Sequence, residues 1–360
     1  MELLKRLVQI PTVNSEHGEK VIEIVLNELR DLGCEHRIYE VDGIKSLVVR
    51  CKGEGPLLAF NGHYDVVPVS EGWTKDPFGA EIEGGKLYGR GASDMKGGLV
   101  ASIEAFKELA KQGKNVMLMV VGDEEKGGKR GTKAVLEMLE EKPRYVLVTE
   151  GMQGDINFGD SIKVGRRGVA WFDIVIKGVP GHASNPQKAR NPADGLLLLL
   201  STLKTLKLND APEMIPTTIV PTYIEMDGGA LNVIPEQARV GIDMRYNYNI
   251  EPVEVMKSLV EILEKAGYNA RYEVKILEPA FFNRDKRFLE IVQGVMRRKG
   301  YIARPDTQGG SSDARFFAAM GIPVLEIGTR AFNIHSTDEY VILEDVEKLK
   351  ELLVEIGNAL

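Results

Sequence analysis

The sequence predicts an α/β protein: a mainly parallel sheet with helices on both faces, plus an inserted, smaller α+β unit of a four-stranded antiparallel sheet and two helices. Three observations predict it. The chain has 360 residues, more than one hydrophobic core usually holds. Its first 150 residues alternate short continuous apolar runs with helix-period segments. Near Val164 the texture changes to strict apolar–polar alternation, and beyond Lys275 the α/β texture returns.

The elements follow in order. Leu3, Leu4, Leu7, Val8 and Ile10 read as an amphipathic N-terminal helix, with no apolar stretch or small-residue cleavage site of a signal peptide. Lys20 to Leu32 is helical, with Val21, Ile24, Val25 and Leu29 on one face. Leu57 to Asn61 is a short strand, and Met95 to Ala110 a helix with apolar spacings of three and four. Val116 to Val121 and Tyr145 to Thr149 are continuously apolar, as strands buried on both faces are. Between them, Thr132 to Glu141 is a helix that ends near Pro143.

Val169 to Lys177 and Ala238 to Met244 alternate, the mark of half-exposed antiparallel strands. Asp194 to Leu206 and Pro252 to Ala266 supply the two helices. Helices Arg287 to Lys299, Ser312 to Met320 and Leu343 to Ile356, with a strand Pro323 to Ile327, complete the larger unit. The expected division is therefore 1–164 with 276–360 as one discontinuous domain and 165–275 as the insertion.

Composition narrows the function. The net charge of −7, from 46 basic and 53 acidic residues, gives no reason to expect a nucleic-acid partner. Apolar runs such as Leu196 to Leu200 are far too short to span a bilayer. Cys34 and Cys51 lack metal-type spacing and read as isolated thiols in a reducing compartment, with a disulfide as the alternative; the expected location is cytoplasmic. Abundant Glu and Lys with sparse Gln lean toward a thermophile.

The chemistry concentrates at strand ends. His63 and Asp65 follow the strand ending at Asn61, Glu124 and Glu125 follow Val121, and Glu150 follows Thr149. His335 lies in the loop after Ile327, and Asp94 sits at the start of a helix, after the glycine-rich Gly89–Ser93. Ligands of open α/β sheets bind at the carboxyl ends of the strands, so these groups can converge. Five carboxylates side by side would repel, and divalent cations remove the conflict. Two histidines with carboxylates suit Zn²⁺, with Co²⁺ or Mn²⁺ as substitutes, and five ligands with one bridging serve two ions. Each motif has a plainer reading. Gly89–Gly98 could be a phosphate loop, but it lacks both the third glycine of a dinucleotide fingerprint and a Gly-Lys-Ser/Thr ending. Asp123-Glu124-Glu125 could be a solvated turn and His335 a helix cap. Their occurrence together is what favours chemistry. Of five histidines, His17 and His36 lie in polar surroundings and read as surface residues, whereas His63, His182 and His335 lie in motifs.

Gly62-His63-Tyr64-Asp65-Val66-Val67-Pro68, Gly91-Ala92-Ser93-Asp94-Met95-Lys96-Gly97-Gly98, Asp123-Glu124-Glu125, Gly181-His182, Asn232-Val233-Ile234-Pro235 and His335-Ser336-Thr337-Asp338-Glu339 together resemble the M20 family of metallopeptidases and deacylases. The similar branch contains succinyl-diaminopimelate desuccinylases, acetylornithine deacetylases, aminoacylases and related carboxypeptidases. The resemblance implies that His63 and Glu150 hold one zinc, Glu125 and His335 the other, and that Asp94 bridges both. It implies that Asp65 orients His63 and Glu124 is the general base. It also makes the insertion a lid and dimerisation domain whose His182 reaches the partner subunit's active site in a homodimer. Arg245 and Asn232 are expected to bind substrate, and Arg166, in Gly165-Arg166-Arg167-Gly168, matches the desuccinylase pattern. The expected activity is removal of an acyl group from N-acyl amino acids. Glu150, where dipeptidases carry Asp, weighs against a dipeptidase, which with a metallocarboxypeptidase stays the alternative. A catalytically dead homologue would lack a ligand or the base, and none is missing.

Overall fold

The computed structural model describes residues 1–360, which divide into two compact units. The larger comprises Met1–Gly165, Phe282–Asp306 and Ser312–Leu360; the smaller comprises Arg166–Phe281 and Thr307–Ser311.

The larger unit is built on an eight-stranded mixed sheet. Its order is Glu35–Val41, Ile44–Cys51, Lys114–Val121, Glu54–His63, Tyr145–Val148, Val324–Glu326, Ser161–Lys163, Arg304–Asp306. The four strands from Lys114–Val121 to Val324–Glu326 are mutually parallel. These are the continuously apolar runs of the sequence. Leu58, Phe60, Val116, Leu118, Val120, Tyr145 and Leu147 point into one large core. That core is shared with the helices Gly18–Leu29, Gly97–Lys111, Lys286–Arg298 and Leu343–Ala359. Asn61, on the opposite face, donates to Thr132 Oγ1 beside the helix Ala134–Met138.

The hairpin Glu35–Cys51 was not expected. Its first strand is mostly exposed, with only Tyr39 buried, so it carries little apolar signal. The hairpin also explains the cysteines. Glu35 pairs with Arg50, so Cys34 and Cys51 stand opposite each other one position further along, and the two sulfurs are joined in a disulfide rather than standing as isolated thiols. Two helices start later than their periodicity suggested. The Met95 segment becomes helical only at Gly97, because Asp94 and Met95 take non-helical backbone angles. The Thr132 segment gives a helix of only five residues, Ala134–Met138.

The smaller unit is a four-stranded antiparallel sheet, in the order Thr218–Glu225, Gln237–Tyr246, Gly168–Lys177, Asn269–Glu278. Alternation places Ala170, Phe172, Ile174 and Ile176 on one face with Val240, Ile242 and Met244. The helices Pro192–Thr205 and Pro252–Lys265 cover that face. Both begin with proline at their first position, where no amide hydrogen is needed. Met256, Leu259, Val260 and Leu263 form the buried stripe of the second helix, each worth about 1.5–3 kcal/mol on full burial. The opposite face carries Trp171, Asp173, Arg239, Asp243 and Arg245. No helix of the protein is long and apolar enough to cross a membrane.

Candidate active site

The parallel strands of the larger unit deliver the candidate ligands at their carboxyl ends. Glu54–His63 ends on His63, whose cross-strand partner is Val121, two residues before Asp123-Glu124-Glu125. Tyr145–Val148 leads into Thr149 and Glu150. The chain reverses after Val121 because Asp123, Gly127 and Gly128 all adopt positive φ. Asp123 anchors that turn: its amide donates to Ser15 Oγ, and its carboxylate pairs with the Arg130 guanidinium.

His63 is buried, and its Nδ1 lies 2.9 Å from the backbone oxygen of Asp65. A carbonyl only accepts, so Nδ1 carries a proton, and in the neutral ring it is Nε2 that presents the lone pair. That Nε2 lies 3.3 Å from Asp94, 3.7 Å from Glu150 and 4.0 Å from Glu124. Asp94 reaches the other way as well: its second oxygen is 3.2 Å from His335 Nε2, which is also 3.2 Å from Glu125. The carboxylate of Asp65, 3.6 Å from His63 Nδ1, accepts the amides of Glu124 and Glu125 at 3.3 and 3.2 Å. Asp65 thus holds the backbone of the acidic pair as well as flanking the imidazole.

The electrostatics are those of a site built for cations. Burial, reinforced by the Asp94 charge, pushes the Glu150 carboxyl up to about 8. Burial also raises Glu125, and it raises Glu124 well above the ordinary carboxylate range, with the charges of Glu150, Asp313 and Glu125 adding to it. Burial would lower His63, but the acidic groups of Asp65, Asp94 and Glu150 around it outweigh this and raise it well above the usual histidine value. Hydrogen bonds to Asp94 and Glu125 carry His335 up to about 10. The buried Nε2 of His63 and Oε2 of Glu150 have no hydrogen-bond partner. Orphaned buried polar atoms are rare, and a divalent cation would satisfy these two and offset the carboxylate repulsion. The donors form two groups, His63–Asp94–Glu150 and Asp94–Glu125–His335, each with its ligand atoms within 4.8 Å of one another. Nitrogen and carboxylate donors in threes with Asp94 common to both fit a two-ion centre.

The pattern of peptidase family M20/M25/M40 matches residues 59–358 of the chain. The chain belongs to this family. Like its relatives in the M20 family, it is a metal-dependent amide hydrolase. It is 35% identical to the succinyl-diaminopimelate desuccinylase of Wolinella succinogenes, covering 99% of this chain and 98% of that protein. It is 34% identical to the enzyme of the same name from Sphingopyxis alaskensis, covering 97% and 95%. Among solved structures, it is similar to the M20 metallo-carboxypeptidase Sso-CP2 of Sulfolobus solfataricus, with a TM-score of 0.75 at 21% identity, covering 99% of this chain and 98% of that one. It also resembles the YXEP protein of Bacillus subtilis, described as a dinuclear metal-binding peptidase, with a TM-score of 0.73 at 19% identity, covering 99% and 96%. At those identities the structural likeness speaks for the M20 fold alone.

The remaining expected residues belong to the smaller unit. His182 is exposed, and its Nδ1 receives the amide of Ser184 at 3.1 Å, with Ser184 Oγ 2.8 Å away. A backbone amide can only donate, so His182 carries its proton on Nε2; Asn232 Nδ2, also a donor, lies 3.4 Å away and does not accept that proton, which stays free for another acceptor. Arg245 is gripped bidentately by Asp243 at 2.8 and 3.0 Å, and Asp243 also accepts from Trp171 Nε1 at 2.8 Å. Arg166 is buried and donates to the carbonyl of Gly310. Sequence reasoning passed over Glu339, a fully buried acid four residues beyond His335; Asp313, which the sequence suggests as part of a substrate-side loop or as a helix cap, makes no side-chain cap hydrogen bond and accepts from Thr132 Oγ1 at 2.6 Å. The available signal for Glu339 was an acid closing the histidine motif.

Proposed function

We propose that the protein is a dinuclear zinc deacylase of N-acyl amino acids, in the manner of succinyl-diaminopimelate desuccinylase or acetylornithine deacetylase. The observation that carries this is the pair of three-ligand groups meeting at Asp94. His63 and Glu150 would hold one ion, Glu125 and His335 the other, and Asp94 both. Zinc, for which cobalt or manganese can substitute, supplies Lewis acidity for a water and for the substrate carbonyl when bound.

The protein's own groups do the rest. Glu124 takes the proton of the attacking water and delivers it to the departing amine; its burial and its acidic neighbours suit it to hold that proton between the two steps. Asp65 holds the backbone amide of Glu124 and flanks His63. His182, with its proton on Nε2, donates to the developing oxyanion. Asn232, beside it, assists. Arg245 presents the guanidinium edge that Asp243 leaves open to a substrate carboxylate, and Arg166 takes a second carboxylate on the acyl group.

The larger unit forms the catalytic domain in this reading, close to the expected 1–164 with 276–360, and the smaller unit, which runs on past 275 to Phe281, is the lid that dimerises. Support for a homodimer comes from the strand Thr218–Glu225. It is an unpaired sheet edge whose Val220 and Ile224 are half exposed, a configuration that invites pairing with a second strand. The proposed location is the cytoplasm. The Cys34–Cys51 bond agrees with it if the source is a hyperthermophile, in which intracellular disulfides are common, and the Glu- and Lys-rich composition leans the same way.

A panel of N-succinyl and N-acetyl amino acids and dipeptides, assayed with zinc, cobalt and manganese, tests the function. Fastest turnover of an N-acyl amino acid is expected. Fastest turnover of a peptide would replace the deacylase reading with a carboxypeptidase or dipeptidase.

A further inference from the structure

We propose that Glu339 is a positioning residue for the metal centre, latching the loop that carries His335 to the loop that carries Asp94. The inference rests on the two-ion reading given above. Glu339 and Arg90 are each about 1% exposed at their side chains. One carboxylate oxygen of Glu339 accepts from Arg90 Nη1 at 2.8 Å and from the amide of Gly91 at 3.0 Å. The other accepts the amides of Ser93 at 2.9 Å and Asp94 at 3.0 Å. The backbone oxygen of Glu339 accepts the amide of Gly89 at 2.9 Å. A single side chain therefore fixes the Gly89–Asp94 turn at four points, Arg90, Gly91, Ser93 and Asp94, the last being the amide of the residue shared by the two ligand groups.

The chemistry of the latch requires an ionised acid. Its partners are amides and a guanidinium, all donors, so only a group that accepts at both oxygens satisfies them. Such concavities of backbone amides bind anions, and here the anion belongs to the protein. A glutamine would turn an NH₂ group toward at least one donor.

Its place in sequence gives the latch its function. Glu339 lies four residues after His335, and its neighbour Asp338 fastens the same loop to the amides of Thr74 and Lys75 and to Thr74 Oγ1. The His335 side chain is 53% exposed and sits at a positive φ, so few packing contacts hold it. Its position depends on its loop, and that loop is pinned to the Asp94 turn through Glu339. Two of the three ligands of the Asp94–Glu125–His335 group are thereby set by one carboxylate. In the other group, Asp94 keeps its contact with the buried, independently held His63.

The test is a zinc titration of chelator-stripped wild-type protein and Glu339→Gln, with circular dichroism and thermal melting of the stripped proteins to establish folding. Wild type is expected to take up two ions. The variant should bind the first as wild type does and the second about 10–100-fold more weakly, the usual cost of losing a group that orients a metal ligand. A folded variant that binds both ions with wild-type affinity overturns the latch, as does an equal loss of both. A wild type that binds no ion overturns the metal-centre reading itself. Hydrogen exchange on metal-free wild type serves if the variant does not fold. The amides of Gly91, Ser93 and Asp94 are expected to be strongly protected, and rapid exchange at these three overturns the proposal.

Discussion

Replacing Gly98 by alanine tests how tightly the helix Gly97–Lys111 is set against the strand that delivers Glu150. A Cβ at Gly98 would lie 1.9 Å from the carbonyl oxygen of Thr149, the residue just before Glu150. Real Cβ contacts do not fall below 3.0 Å, so that oxygen or the helix has to withdraw by about 1 Å. The atom is backbone, not the tip of a flexible side chain. Two effects oppose each other. Alanine in place of a helical glycine ordinarily gains about 0.5–1 kcal/mol. Overpacking of a filled interior costs about 1–3 kcal/mol. The balance is a net loss on the order of 1–2 kcal/mol, and a Tm lower by about 2–4 °C for each kcal/mol in a unit of this size. A shift of about 1 Å at a metal ligand can cost on the order of 100-fold in rate. Gly294→Ala is the matched control. It too lies within a helix, but its Cβ would meet only Arg298 Nη1, at 3.6 Å, so it should gain the propensity term and leave activity unchanged. Calorimetric unfolding and hydrolysis rates of the two variants give the comparison. A Gly98→Ala protein as stable and as active as the Gly294→Ala protein would refute the close-packing argument.

Other consequences are as direct. Glu124→Gln should keep both metals and lose about 10²–10⁴-fold in kcat, the usual contribution of a general base; a substantial residual rate removes Glu124 from that role. Arg245→Ala should raise KM strongly for carboxylate-bearing substrates with a smaller change in kcat, and an unchanged KM places the anchor elsewhere. In metal-free protein at pH 7.5, His335, pushed up to about 10, is protonated, and Glu150, pushed up to about 8, is mostly protonated. Both must lose those protons to serve as ligands, so metal uptake should release protons and weaken as pH falls. Calorimetric titration in two buffers of different ionisation enthalpy measures this, and identical heats would contradict it.

Much of the site was legible because its ligands sit where apolar runs stop. Val116–Val121 and Tyr145–Thr149 could only be buried strands, and the polar residues after them had to emerge at a sheet rim. The alternation of Val169–Lys177 similarly displayed a sheet covered on one face. What stayed hidden depends on contacts distant in sequence. Glu339 meets the Gly89–Asp94 turn across some 245 residues, and no local pattern marks an acid as fully buried. The acceptor nearest His63 Nδ1 is the backbone oxygen of Asp65, which sequence cannot distinguish from its carboxylate. The helical period suggested a helix from Met95, whereas the backbone there departs from helical angles at Asp94, whose carboxylate lies between His63 and His335. The hairpin Glu35–Cys51 was missed because its outer strand is stabilised by pairing rather than burial, and without the hairpin nothing favoured the disulfide over isolated thiols.

The central claim is most directly tested by anomalous diffraction at the zinc edge from crystals grown with zinc. Two peaks about 3.5 Å apart are expected, one within bonding distance of His63, Asp94 and Glu150 and the other of Asp94, Glu125 and His335. A map with no peak among these residues, or with the zinc bound elsewhere on the chain, would contradict the account.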